Sequence, residues 1–208
     1  ALPAVGKYFA SHPQFMWFGV FDHPVDAHKG YFQTVASKDP SFRKQGFKLE
    51  NVFAGPISIA MLFKGYGQAH MDFMKNYRNM TCIEVAVRDE NVGEIRLARG
   101  GKLEVEKPLT DQDKARRDKG LEAVANILTH GGAKQVVKAP MYFGLHLMGG
   151  CVMGTDPNTS VVGPDFRVHG HDNLFICDSS IYPNAPGINP SLTICSLSQK
   201  LGEQLAAN

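Results

Sequence analysis

Apolar and polar positions change period several times along this chain, and each change predicts an element. After an irregular start punctuated by Pro3, Gly6 and Pro13, residues Phe15 to Phe21 form an unbroken apolar and aromatic run, the composition of a buried strand. A turn through Asp22, His23 and Pro24 leads to a second predicted strand over residues 28–35, and residues 38–45 are polar and loop-like. Residues 47–53 alternate in the manner of a half-buried strand. From 56 to 79 the spacing turns helical, interrupted at Gly65 and Gly67. Three strands are predicted at 81–88, 94–97 and 102–105, with Gly100-Gly101 marking a hairpin between the last two. Thr110-Asp111-Gln112-Asp113 reads as a helix start, and helical periodicity continues from Ala115 to Leu128 until Gly131-Gly132. Val136-Val137 and Ala139-Pro140 then lead into a loop that carries His146. A short strand at 174–177 and a Pro- and Gly-rich loop precede the final helix. Asn189 has the character of its cap, with Pro190 at the first helical position, where a missing N–H costs nothing. Runs of strands broken by two main helices predict an α+β fold, a largely antiparallel sheet with flanking helices.

Composition narrows the function classes. A chain of 208 residues with 43% hydrophobic and 20% charged residues has the makeup of an ordinary globular protein. Its net charge of +2, with basic residues scattered, argues against a nucleic-acid partner. Residues 114–119 are basic, but read as a solvated helix face. No apolar run approaches the ~20 residues a transmembrane segment needs. The chain starts at Ala1 without an initiator methionine or a signal-peptide pattern, so a fragment or processed piece is expected. Cys82, Cys151, Cys177 and Cys195 form no Cys-x-x-Cys pair and read as buried free thiols, which points to a reducing, cytoplasmic setting.

Candidate chemistry concentrates between His146 and Gln204. Gly149 and Gly150 follow His146 closely, and glycine lets backbone approach a flat ligand because no Cβ intervenes. Asp178, Ser179 and Ser180 end the predicted 174–177 strand, a common place to meet a cofactor. The amides of a helix's first turn suit an anion or an electron-rich ring edge. An imidazole at His146 beside a carboxamide at Asn189 has the chemistry to remove a proton from an alcohol while holding its oxygen. His146, Cys151, Asp156, His169 and His171 are all metal-ligand types, but their spacing matches no compact site, so no metal is expected. Ser179 and Ser180 lack the Gly-x-Ser-x-Gly elbow of a hydrolase nucleophile. The Phe and Met residues of 15–74, Met61, Met71 and Phe73 among them, suit either a pliable substrate wall or core.

These elements, in order, resemble the C-terminal signature of the glucose-methanol-choline (GMC) oxidoreductases, flavoenzymes that oxidise alcohols. The resemblance is carried by His146, the Gly149 to Gly154 run, Ser160-Val161-Val162, Asn173-Leu174-Phe175, Asp178-Ser179-Ser180, Pro183 and Gly187-Ile188-Asn189-Pro190-Ser191-Leu192-Thr193. It implies that residues 1–140 form the substrate-binding sheet and helices, and that 141–208 carry the catalytic pair and the flavin contacts. His146 would be the general base as hydride leaves a CH–OH carbon for flavin N5, and Asn189 would hold the oxygen. Asp178 and Ser179 would touch the linker of the FAD, and the Pro190-Ser191-Leu192 stretch the pyrimidine edge of its ring. The family's Gly-x-Gly-x-x-Gly fingerprint is absent; the nearest string, Gly65-Tyr66-Gly67, lies in a helical segment. The FAD-binding Rossmann portion is therefore expected elsewhere, in the same polypeptide or another chain. The substrate would be a small alcohol, apolar if the Phe- and Met-rich region lines its site. The alternative is an isolated non-catalytic domain or subunit that needs a separate FAD-binding chain.

Overall fold

The computed structural model describes residues 2–63 and 65–207. The chain divides into two compact units that interleave in sequence. The first takes the chain up to His12, the stretch Arg88–Asp113 and the chain from Gly144 onward; the second takes Pro13–Val87 and Lys114–Phe143.

The second unit is built on a ladder. Strand β1 (Lys7–Val20) pairs antiparallel with β3 (Met80–Val87), placing Trp17 opposite Ile83 and Phe18 opposite Cys82. On the other side of β3 lies β2 (Phe47–Asn51), also antiparallel, with Leu49 opposite Val85. Alternation then sorts the side chains onto two faces. On one face Phe18, Met80 and Cys82 pack with Val52 and Phe53, and helix α2 (Pro56–Leu62) adds Ile59 and Leu62. Phe73 and Met74 from α3 (Gln68–Lys75) close over the same cluster, while Met61 and Met71 point to solvent. The opposite face meets α4 (Asp111–His130), which buries Leu121, Val124 and Leu128. A Cβ on Gly120 would come within 2.3 Å of Val85, so only glycine permits that approach of helix to strand. The start of α4 is a reciprocal cap: Asp113 N–H donates to Thr110 Oγ1 at 3.1 Å, and Thr110 N–H to the Asp113 carboxylate at 2.9 Å.

In the first unit the opening residues of β1 pair with β4 (Gly93–Leu97), across a bulge at which Tyr8 takes φ 61°. β4 pairs in turn with β5 (Leu103–Glu106), and Gly100 and Gly101 both adopt positive φ in the predicted hairpin. Its core gathers Ala10, Met148, Val161, Val162, Phe166 and Ile181, with Ile194, Leu197 and Leu201 of α5 (Ser191–Ala206) packed against them. An antiparallel sheet with flanking helices is thus the architecture, as the pattern of elements predicts.

Several local expectations are overturned. β1 begins at Lys7 rather than Phe15, and its polar residues Ser11, His12 and Gln14 are buried. Residues 28–35 form no strand: they run as a loop in which Asn51 Oδ1 accepts from the N–H groups of Thr34 and Val35, leaving Tyr31 and Phe32 exposed. Residues 40–44, expected as loop, are the short helix α1 (Pro40–Lys44), capped by Asp39. His146 lies not in a loop but in β6 (Gln135–Met148), a strand that pairs with β1 and runs through Pro140. The 174–177 strand reduces to one bridge, Phe175 to Arg167. Of the four cysteines only Cys82 is buried; Cys195 is exposed. Among the described residues, no helix is long and apolar enough to cross a membrane.

Candidate functional site

The site residues all lie in the first unit, and their placement starts from a buried carboxylate. Asp89 accepts from Ser11 N–H at 2.9 Å and pairs with Lys107 at 2.8 Å. Burial pushes its carboxyl up to about 6, against the pull of the Lys107 ammonium and the Ser11 amide. Asp89 thereby pins β1 at the residue before His12.

His12 is 2% exposed and bridges two segments far apart in sequence. Its Nδ1 lies 3.0 Å from Nδ1 of His146, the two rings meeting edge to face with centroids 5.2 Å apart. Its Nε2 accepts from Gly187 N–H at 3.2 Å. His146, half-buried near the end of β6, holds φ at 52°, in the left-handed region. That conformation costs a non-glycine residue about 1–2 kcal/mol, and such strain is typically stored where side-chain aim matters. Two residues beyond β6's His146-Leu147 pair, Gly149 is also left-handed.

The loop from Pro183 to Pro190 is tied down from several directions. Arg88 Nε donates to Ala185 O at 3.1 Å, Asn91 Nδ2 to Pro183 O at 2.8 Å and Tyr182 OH to Pro190 O at 3.4 Å. Gly187 stands at φ 73°, where an added Cβ would press on the Arg88 side chain. Asn189 is exposed at the end of this loop. It is not the helix cap expected of it: α5 begins at Ser191, and Pro190 occupies the cap position. Pro190 is buried and has no N–H, so Ser191 and Leu192 are the first residues able to offer amides at that helix start. Both are exposed.

Ser179 Oγ donates to Leu147 O at 2.7 Å, joining the Asp178 turn to β6 one residue past His146. Asp178 caps its own turn, accepting from Ser180 N–H at 2.7 Å. Gly149 has a different reason from the expected approach of a ligand. A Cβ there would sit 2.0 Å from Tyr8 O, so the close neighbour is the chain's own backbone. The geometry therefore joins His146, the Ser179 turn and the loop leading to Asn189 through backbone and imidazole contacts.

His12, Arg88, Asn91 and Tyr182 do this positioning, and none stands out in the sequence. The available signal was His12 between the apolar pairs Phe9-Ala10 and Phe15-Met16, masked by Pro13. His169 is placed structurally. Its Nε2 is 2.9 Å from Ser160 Oγ, whose hydroxyl donates to Asp156 O at 2.6 Å, so His169 donates to Ser160. Among the described residues, no three His, Cys, Asp or Glu side chains are grouped to hold a metal ion.

Known proteins resemble this chain in sequence and in fold. Residues 89–198 match the GMC oxidoreductase family model for the C-terminal region. An uncharacterized GMC-type oxidoreductase of Mycobacterium tuberculosis is 25% identical over 229 residues, covering 99% of this chain and 36% of the relative. A long-chain-alcohol oxidase of Arabidopsis thaliana is 24% identical over 243 residues, covering 95% of this chain and 33% of that protein. The chain thus spans about a third of the length of these two relatives. In fold it superposes on pyridoxine 4-oxidase from Mesorbium loti with a TM-score of 0.73 at 16% identity, covering 100% of this chain and 44% of that one.

Proposed function

The chain belongs to the GMC oxidoreductase family, as the C-terminal portion of such a protein, and on that premise we propose that it is the substrate-binding and catalytic part of an FAD-dependent alcohol oxidoreductase. One observation carries the proposal: His146 and the loop ending at Asn189 are held to a common partner, His12. An imidazole and a carboxamide so placed divide the work on a CH–OH donor. His146 takes the hydroxyl proton, a task suited to a group that titrates near neutrality. Asn189 hydrogen-bonds the oxygen and so orients the carbon that loses hydride. FAD, when bound, supplies the hydride acceptor.

The residues present fit that cofactor in kind. The Ser191 and Leu192 amides stand at the exposed start of a 16-residue helix, donors suited to the electron-rich edge of a flavin ring. Pro190, buried before them, has no N–H of its own to donate. The Asp178 carboxylate and the Ser179 turn would meet the cofactor's polar linker. The nucleotide-binding portion is the partner this chain requires, in the same polypeptide or another. An apolar alcohol is the favoured substrate class, supported by the likeness to a long-chain-alcohol oxidase of Arabidopsis thaliana.

The test is an alcohol panel on the full-length protein with His146→Ala alongside. The variant should retain flavin and lose about 10²–10⁴-fold in kcat, the usual contribution of a general base. Undiminished turnover would remove His146 from that role.

A further inference from the structure

We propose that His12 is a positioning residue that fixes the tautomer of His146, with the proton on Nε2. Resting on the reading of His146 as the group that meets the alcohol, this makes its first contact with the oxygen a donated hydrogen bond. Gly187 N–H can only donate, and at 3.2 Å from His12 Nε2 it requires a lone pair on that nitrogen. His12 is therefore not an imidazolium, in which both ring nitrogens would carry hydrogen. Its single proton sits on Nδ1. That N–H faces His146 Nδ1 across 3.0 Å, and His146 Nδ1 must accept it. A neutral His146 then carries its own proton on Nε2. The hydrogen bonds run in one direction, from Gly187 through His12 to His146.

Both ends of this relay are anchored. Asp89 holds the Ser11 amide next to His12, and Arg88 holds Ala185 two residues before Gly187. His12 is also buried, so water does not readily replace either bond.

The arrangement constrains base catalysis. To take a proton on Nε2, His146 needs its lone pair there, and the order of the relay must reverse. His146 Nδ1–H would donate to His12 Nδ1, and His12 would carry its proton on Nε2. The Nδ1 proton passes from His12 to His146, His146 Nε2 gives its proton to water and His12 Nε2 takes one from water, so both rings end neutral, but Gly187 N–H must first release His12. Gly187 is two residues from Asn189 in the same loop. His146 thus becomes base-competent only as the loop carrying Asn189 shifts.

The experiment is nitrogen NMR of the full-length holoenzyme labelled with ¹⁵N-histidine, the His146 signals assigned by their loss in His146→Ala. In the wild type, Nε2 should show the shift of a protonated ring nitrogen and Nδ1 that of an unprotonated acceptor. His12→Phe keeps the ring's bulk but offers no donor; His12→Gln has an amide oxygen to accept from Gly187 but no donor at the Nδ1 position. Both should shift His146 toward a mixture of tautomers, and His12→Asn, with an amide N–H near that position, should restore it. A wild-type His146 protonated on Nδ1 would overturn the proposal, as would a tautomer unchanged in either His12→Phe or His12→Gln. These readings do not depend on turnover, so they stand apart from the test of His146 as base.

Discussion

The two units hold themselves together by different means. In the second, register does the work: β1, β3 and β2 lie in a ladder, and alternate residues of β1 and β3 (Met16, Phe18, Met80, Cys82) enter one core cluster. In the first, much of the fixed geometry comes from single hydrogen bonds between residues distant in sequence, such as Arg88 to Ala185, Asn91 to Pro183 and Gly187 to His12. The lesson concerns what each design can present. A ladder offers side chains along a line at period two, whereas pinned loops bring His12, His146 and the Gly187 amide together from three separate stretches. Every proposed site residue lies in the unit of pinned loops.

Buried carboxylates repeat the contrast. Asp89 in the first unit meets an amide and an ammonium. Glu84 in the second lies directly across the ladder from Glu50, with Gln33 donating to it at 2.7 Å. Burial first, and the Glu50 charge second, push the Glu84 carboxyl up to about 7.

Substitutions can break this comparison. The largest effect on stability should come from Phe18→Ala in the fully buried ladder core, about 3–5 kcal/mol by urea unfolding of the full-length protein. A loss under about 1 kcal/mol would deny that this cluster carries the second unit. In the first unit, Gly149→Ala forces a Cβ against Tyr8 O at φ 77°, and strain plus displaced backbone should cost about 3 kcal/mol. A neutral outcome there would mean the segment relaxes freely and is not pinned. Glu84 gives a pH signature. Its folded value of about 7 exceeds the ordinary 4.5, so the folded protein holds a proton the unfolded chain has released. Stability present below about pH 4.5 is therefore lost as pH rises through 7, by up to about 3 kcal/mol. Glu84→Gln should flatten that slope, and an unchanged slope would assign it to other groups. The smallest effect is expected of Asn189→Ala, about tenfold in kcat/KM for the loss of one neutral hydrogen bond, with stability nearly unchanged. Equal turnover would leave Asn189 as loop structure alone.

Legibility in the sequence follows the same division. The strands near 81–105 and the long helix from 111 were readable because local period and turn chemistry suffice for them. β1 was only half seen, since Ser11, His12, Pro13 and Gln14 interrupt its apolar pattern. Two of them meet partners from distant stretches: Asp89 accepts from the Ser11 N–H, and Gly187 and His146 flank the His12 ring. β6 was missed for a related reason, as Pro140 and its polar positions argue locally for a loop. Residues 28–35 have strand composition, but only isolated backbone bonds reach them, to Val35 O and Phe32 O, while the Asn51 side chain takes the Thr34 and Val35 N–H groups. His146 and Asn189 stand out through the spacing of a family motif. His12 lies outside that motif, and no local pattern encodes a contact 134 residues away.

The most direct test of the account is the visible spectrum of the full-length protein before and after anaerobic addition of an alcohol, for wild type and His146→Ala. The account predicts flavin bands in both, rapid bleaching in the wild type and bleaching slowed about 10²–10⁴-fold in the variant. Protein without flavin bands, or a variant that bleaches at the wild-type rate, would contradict it.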